Sequence, residues 1–157
     1  MATEIEEKLT DELKDAMKTG DEVRRDAIRM VRAALKNEQI ELQHALTADE
    51  VDGVVTRIAK RHRDSIAEFK KGNRPDLVAH EEAQLAVVER FAKIQFLSRE
   101  QIEAEVREAI ATLNVSGPRA MGPLMTALQQ KLRDKADMRL VSEVVRSELA
   151  AGSGGSR

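Results

Sequence analysis

The stretch "MGPLMTALQQKLRDKADMRLV", Met121 to Val141, decides the class of fold. It reads as two short helices with a joint between them. Pro123 does not break the first: proline lacks the N–H that an opening helical turn leaves unpaired anyway, so it fits a helix beginning near Ala120 to Gly122. Asp137 reads as the N-cap of the second, which carries Leu140, Val141, Val144, Val145 and Leu149. Four cations, Lys131, Arg133, Lys135 and Arg139, surround the joint.

Helical periodicity extends back through the chain. Ile5, Leu9, Leu13, Ala16 and Met17 form a first stripe, which Gly20 stops. Asp21 caps a second helix with Val23, Ala27, Met30, Val31, Ala34 and Leu35 on one face. "TADE" (Thr47 to Glu50) is a capping box ahead of Val51, Val54, Val55, Ile58, Ile66 and Phe69. "KGNRPD" ends that helix, because the residue before a proline resists helical geometry. A fourth helix carries Leu77, Leu85, Val88 and Phe91. "SREQ" (Ser98 to Gln101) is a second capping box and opens a helix with Ile102, Val106, Ile110 and Leu113. No segment alternates with the period of a strand.

The expected fold is therefore all-α, with seven helices, four long and then three short. A four-helix N-terminal domain (1–96) precedes a small three-helix C-terminal domain (97–150) and a flexible tail (151–157) whose "GSGGSR" has linker composition.

Composition agrees. Hydrophobic residues make up 41% of the 157, enough for a core. Only Phe69, Phe91 and Phe96 are aromatic, while helix-forming Ala, Leu, Glu, Lys, Arg and Gln dominate. Absence of cysteine excludes disulfides, thiolate metal sites and a Cys nucleophile. The acidic, amphipathic start "MATEIEEKLTDELK" resembles neither a secretory signal nor a transit peptide. No run of about 18 apolar residues exists, so no membrane span or membrane partner is expected. The default is a cytoplasmic protein of bacterial type.

Catalytic motifs are missing. Neither GxxxxGK[ST] nor GxGxxG occurs, and His44, His62 and His80 have no HExxH-type spacing. His62, with Asp64, Ser65 and Glu68 nearby, has the residue types of a nucleophile and base but no oxyanion device, and reads as a solvent-facing helix group. His80-Glu81-Glu82 reads as a polar helix face. No catalytic residue, metal ligand or cofactor is assigned.

Charge is more informative. The net charge is −2, but residues 57–74 hold seven bases and two acids, whereas residues 1–22 hold eight acids and three bases. Basic helix faces contact phosphates and release counterions. Without Tyr or Trp to stack bases, such contact would recognise the backbone and shape of a folded RNA. The candidate contacts are Lys131, Arg133, Lys135 and Arg139, with Arg57, Lys60, Arg61 and Arg63 as a second patch. An apolar protein-docking surface, served by adaptable residues such as Met17, Met30, Met121, Met125 and Met138, is the competing reading.

Three stretches, "RRDAIRMVRAALKNEQIE" (Arg24 to Glu41), "KRHRDSIAEFKKGNRPDL" (Lys60 to Leu77) and Met121 to Val141, together resemble the GatB/YqeY family, and more narrowly its short stand-alone YqeY-like members. The resemblance covers residues 3 to 150. It implies a helical N-terminal domain and a small helical C-terminal domain similar to the tail of the B subunit of glutamine-dependent aspartyl/glutamyl-tRNA amidotransferase, where the tail contacts tRNA. Its implied partners are tRNA and the tRNA-amidotransferase or aminoacyl-tRNA machinery. The resemblance also brings a label, carbon–nitrogen ligase with glutamine as amido-N donor, for which this chain supplies no residues. The chain departs from the family at Ala120, where an acidic cap is usual, and at Asp134 and Met138, where glycines are frequent. The leading expectation is a non-catalytic accessory that contacts tRNA or another folded RNA. The alternatives are a subunit or enzyme of amide transfer and a protein-interaction scaffold.

Overall fold

The computed structural model describes residues 4–153, and these contain seven α-helices, one 3₁₀ turn and no strand. The helices are α1 (Glu4–Thr19), α2 (Glu22–Leu42), α3 (Ala48–Lys71), α4 (Pro75–Glu89), α5 (Arg99–Leu113), α6 (Met121–Leu132) and α7 (Met138–Ser153). The expected contrast of four long and three short helices is not found: α7 has 16 residues and α4 has 15. α7 also runs through Gly152 to Ser153, into the expected tail; the rest of that tail, 154–157, lies outside the described residues. The chain divides into two compact units, one ending at Lys93 and the other beginning at Ile94.

Local chemistry sets the helix ends. Gly20 takes φ 72°, which only glycine adopts without strain, and Asp21 then accepts the Arg24 N–H at 3.1 Å to open α2. Thr47 and Glu50 exchange bonds of 3.2 and 2.8 Å at the start of α3. Ser98 and Gln101 repeat the device at α5, at 3.2 and 2.9 Å. α6 has no side-chain cap at Ala120; the 3₁₀ turn Pro118–Ala120 leads into it instead.

In the first unit the core joins Leu9 and Leu13 of α1, Ala27, Ile28, Val31 and Leu35 of α2, Val51, Val55 and Ile58 of α3, and Val88 of α4. Two expected core residues are exposed, Met17 (57%) and Met30 (38%), while Ile28 is fully buried. At 100° per residue Met30 stands about that far off Val31, on the side away from Leu35, and Met17 is turned equally from Ala16. Phe91 is buried as expected but lies beyond the end of α4, beneath the Arg90 guanidinium, 6.0 Å from its ring centre.

In the second unit Ile102 and Val106 of α5 pack with Leu124, Leu128 and Leu132 of α6 and with Val141, Val144 and Val145 of α7. The α6–α7 joint buries Ala136, and its Lys135 carbonyl accepts the Leu97 N–H at 2.8 Å. The Lys135 and Ala136 N–H groups bond the Leu132 carbonyl at 2.9 and 3.1 Å. The non-glycine residues with positive φ are Gln43, Asn73 and Asn114, none at this joint, so the turn has no need of glycine at Asp134 or Met138. Replacing Leu128 by Ala should cost about 3–4 kcal/mol in urea unfolding, against less than about 0.5 kcal/mol for the half-exposed Leu113. Equal losses at the two sites would contradict this core assignment.

Candidate nucleic-acid interface

Carboxylates hold four of the eight candidate cations. On α3, Arg57 reaches Glu38 of α2 at 3.0 Å, and Arg63, only 12% exposed, reaches Glu89 of α4 at 2.7 Å. At the α6–α7 joint, Lys131 lies 2.6 Å from Glu105 of α5 and 3.9 Å from Glu108. The hydrogen bond to Glu105 holds the Lys131 ammonium above the usual lysine range. The Arg139 guanidinium lies 3.5 Å from Asp137 Oδ1, which also accepts the Arg139 N–H at 3.0 Å and so caps α7.

The other four, Lys60, Arg61, Arg133 and Lys135, are exposed and have no carboxylate partner among the described residues. Arg133 and Lys135 sit together on the α6–α7 turn. Lys60 and Arg61 are neighbours on α3. The structure thus halves each patch, leaving two cations of each without a carboxylate partner among the described residues.

A third group was not legible as a charge run. Arg29, Arg32 and Lys36 of α2 are exposed and likewise unpaired among the described residues. Their spacing of three and four residues places them on one helix face. Only apolar residues separate them in sequence, so they are masked as part of an amphipathic stripe; their spacing was the available signal.

The histidine reading needs correction. His62 is buried, 6% exposed, and does not face solvent. Its Nδ1 lies 2.6 Å from Glu81 Oε2 on α4, and its Nε2 is buried without a hydrogen-bond partner. Position 62 falls on the same face as Val55, Ile58 and Ala59, which turns it inward toward α4. Glu81 is accordingly one half of a helix-to-helix bond and only partly a surface acid. Ser65 is not joined to the imidazole, so the nucleophile-and-base geometry is not formed. Among the described residues no three His, Cys, Asp or Glu side chains converge as a metal site, and no helix is long and apolar enough to cross a membrane.

The pattern over residues 6–149 matches the family model described as Yqey-like protein. The chain belongs to the YqeY-like family. Among curated relatives it is 30% identical, over 112 residues, to "Altered inheritance of mitochondria protein 41, mitochondrial" of Lachancea thermotolerans, covering 70% of this chain and 60% of that protein. The protein of the same name from Kluyveromyces lactis is 32% identical with the same coverage. That from a Saccharomyces cerevisiae strain is 31% identical over 108 residues, 67% of this chain and 58% of that protein. The chain thus spans about three-fifths of the length of the curated relatives it matches. These relatives are yeast proteins named as mitochondrial, and they overturn the expectation of a cytoplasmic protein.

The buried pair makes a specific stability prediction. His62→Ala removes the partner of Glu81 and opens a void between α3 and α4, and should cost about 2–4 kcal/mol in chemical denaturation. The double change His62→Leu with Glu81→Leu removes both polar groups and should recover more than half of that loss. A double variant as unstable as His62→Ala would show that the pair is not the source of the effect.

Proposed function

We propose that this YqeY-family chain is a non-catalytic accessory that grips the phosphate backbone of a folded RNA, tRNA being the leading candidate, through the α6–α7 turn. The observation that carries the reading is that Arg133 and Lys135 stand exposed on that turn with no carboxylate partner among the described residues, in a molecule where most arginines have one. Resemblance of this part to the tRNA-contacting tail of the amidotransferase B subunit supports the choice of RNA. In this reading the four-helix and three-helix units act as separate domains, and the amidotransferase or aminoacyl-tRNA machinery is the setting in which the chain works. Scarcity of aromatic side chains favours backbone contact over base stacking.

Free cations contribute phosphate contacts; cations already held by acids must first give up their partners. Arg133→Ala with Lys135→Ala should therefore weaken tRNA binding several-fold at low salt. It should also reduce the slope of log affinity against log salt by about one to two. Lys131→Ala, which removes a cation already neutralised by Glu105, should change the slope much less. A filter-binding salt series on the full chain decides this. Absence of low-salt binding by the wild type, or turnover in glutaminase or transamidation assays with the purified chain, would overturn the proposal.

A further inference from the structure

The first unit carries a basic face that the α6–α7 turn does not account for. Along α2, Arg25, Arg29, Arg32 and Lys36 follow one another at intervals of four, three and four residues. Arg25 is drawn to Asp26 at 3.0 Å, and the other three have no acid within ion-pair distance among the described residues. Each step of the series sets like charges on adjacent turns, an arrangement that opposes helix formation unless a countercharge is supplied. Several other arginines have one: Arg24 has Asp15, Arg90 has Glu12, Arg99 has Glu143 and Arg107 has Glu148. From Arg29 to Lys36 the row extends about 10 Å along a rigid helix, at 1.5 Å per residue.

Arg32 and Lys36 also border a groove of about 710 Å³ between α1 and α2, floored by Leu9 and Leu35. The opposite lip is acidic, with Glu7 and Asp11 of α1. Charge therefore changes sign over one helix–helix spacing, roughly 8–10 Å. This selects the shape of the ligand. An anionic bilayer is uniformly negative over such a distance and would be repelled by α1 as it approached α2. A single phosphodiester strand is narrow enough to follow α2 and leave the acidic lip in solvent.

We infer that the Arg29–Arg32–Lys36 face of α2 is a second phosphate-backbone contact, taking one strand of a folded RNA. This rests on the proposed RNA-contacting role but assigns it a separate surface, in the other compact unit.

The test uses the full chain with fluorescently labelled bulk tRNA in a salt series. The arms are wild type, R29Q/R32Q/K36Q, and R133A/K135A. Glutamine keeps helix propensity, and circular dichroism with thermal melting checks that each variant folds; R29K/R32K/K36K, which keeps the charge, serves as the rescue. If the inference holds, the glutamine variant binds at least tenfold more weakly near 0.1 M salt with a salt slope lower by about two to three, and the lysine variant retains most of the binding. If wild type binds and R133A/K135A is impaired while R29Q/R32Q/K36Q is not, the inference fails and the proposed function stands. If wild type does not bind tRNA at low salt, both fail. Binding to phosphatidylcholine–phosphatidylglycerol vesicles that R29Q/R32Q/K36Q abolishes, with tRNA binding unaffected, would reassign the face to a lipid surface and overturn the inference.

Discussion

Burial of the narrow aliphatic stripe of α3 is the constraint on which the first unit depends. Val51, Val54, Val55, Ile58 and Ala59 are small or β-branched, and all are buried. A helix that packs through such residues brings its flanking side chains over its neighbours. Arg57 then meets Glu38, Arg63 meets Glu89, and His62, one turn beyond Ile58, enters the interface and finds Glu81. The second unit works in the same way. Its stripes of Ile and Val on α5, Leu on α6 and Val on α7 place Lys131 over Glu105 and Arg107 over Glu148.

A functional consequence follows from this economy of charge. With 26 Lys and Arg against 28 Asp and Glu, the chain has enough acid to neutralise every base, and packing decides which bases receive one. Exposed pairs of this kind contribute little stability, but each makes a cation less available to an outside anion. The cations left over mark the surfaces on which an external phosphate would meet least competition. Among the described residues they include Arg133 and Lys135 on the α6–α7 turn, Lys60 and Arg61 on α3, and the Arg29–Lys36 row on α2, where two or more such cations lie close together; Lys14, Lys18, Lys70, Arg119 and Arg146 are also without an acid.

Sequence disclosed the fold well because its signals are local. Gly20 followed by Asp21, the Thr47–Glu50 and Ser98–Gln101 boxes, and Asp137 all act within a few residues, and each appears in the structure where its chemistry places it. Reading failed where a residue's neighbours come from another helix. Periodicity assigned Met17 and Met30 to the core because they sit beside Ala16 and Val31, whereas the contacting helices set a narrower face. His62 looked like a solvent group because its partner, Glu81, lies nineteen residues away on α4. The basic patches were read by local density for the same reason, since carboxylates from α2, α4 and α5 are invisible at the level of a charge run. Family membership was legible in three motifs in their order, whereas localisation had no positive signal and was read from the absence of one.

Arginine side-chain NMR puts the availability of these cations to the most direct test. The full chain, labelled with nitrogen-15, is titrated with bulk tRNA at low salt, and the Nε–Hε signals are followed residue by residue. We expect Arg29, Arg32 and Arg133 to shift together and saturate, while Arg24, Arg63 and Arg107, already committed to carboxylates, stay in place. Shifts concentrated on Arg63 and Arg107, with Arg29, Arg32 and Arg133 unmoved, would contradict the premise that unpaired cations define the interface.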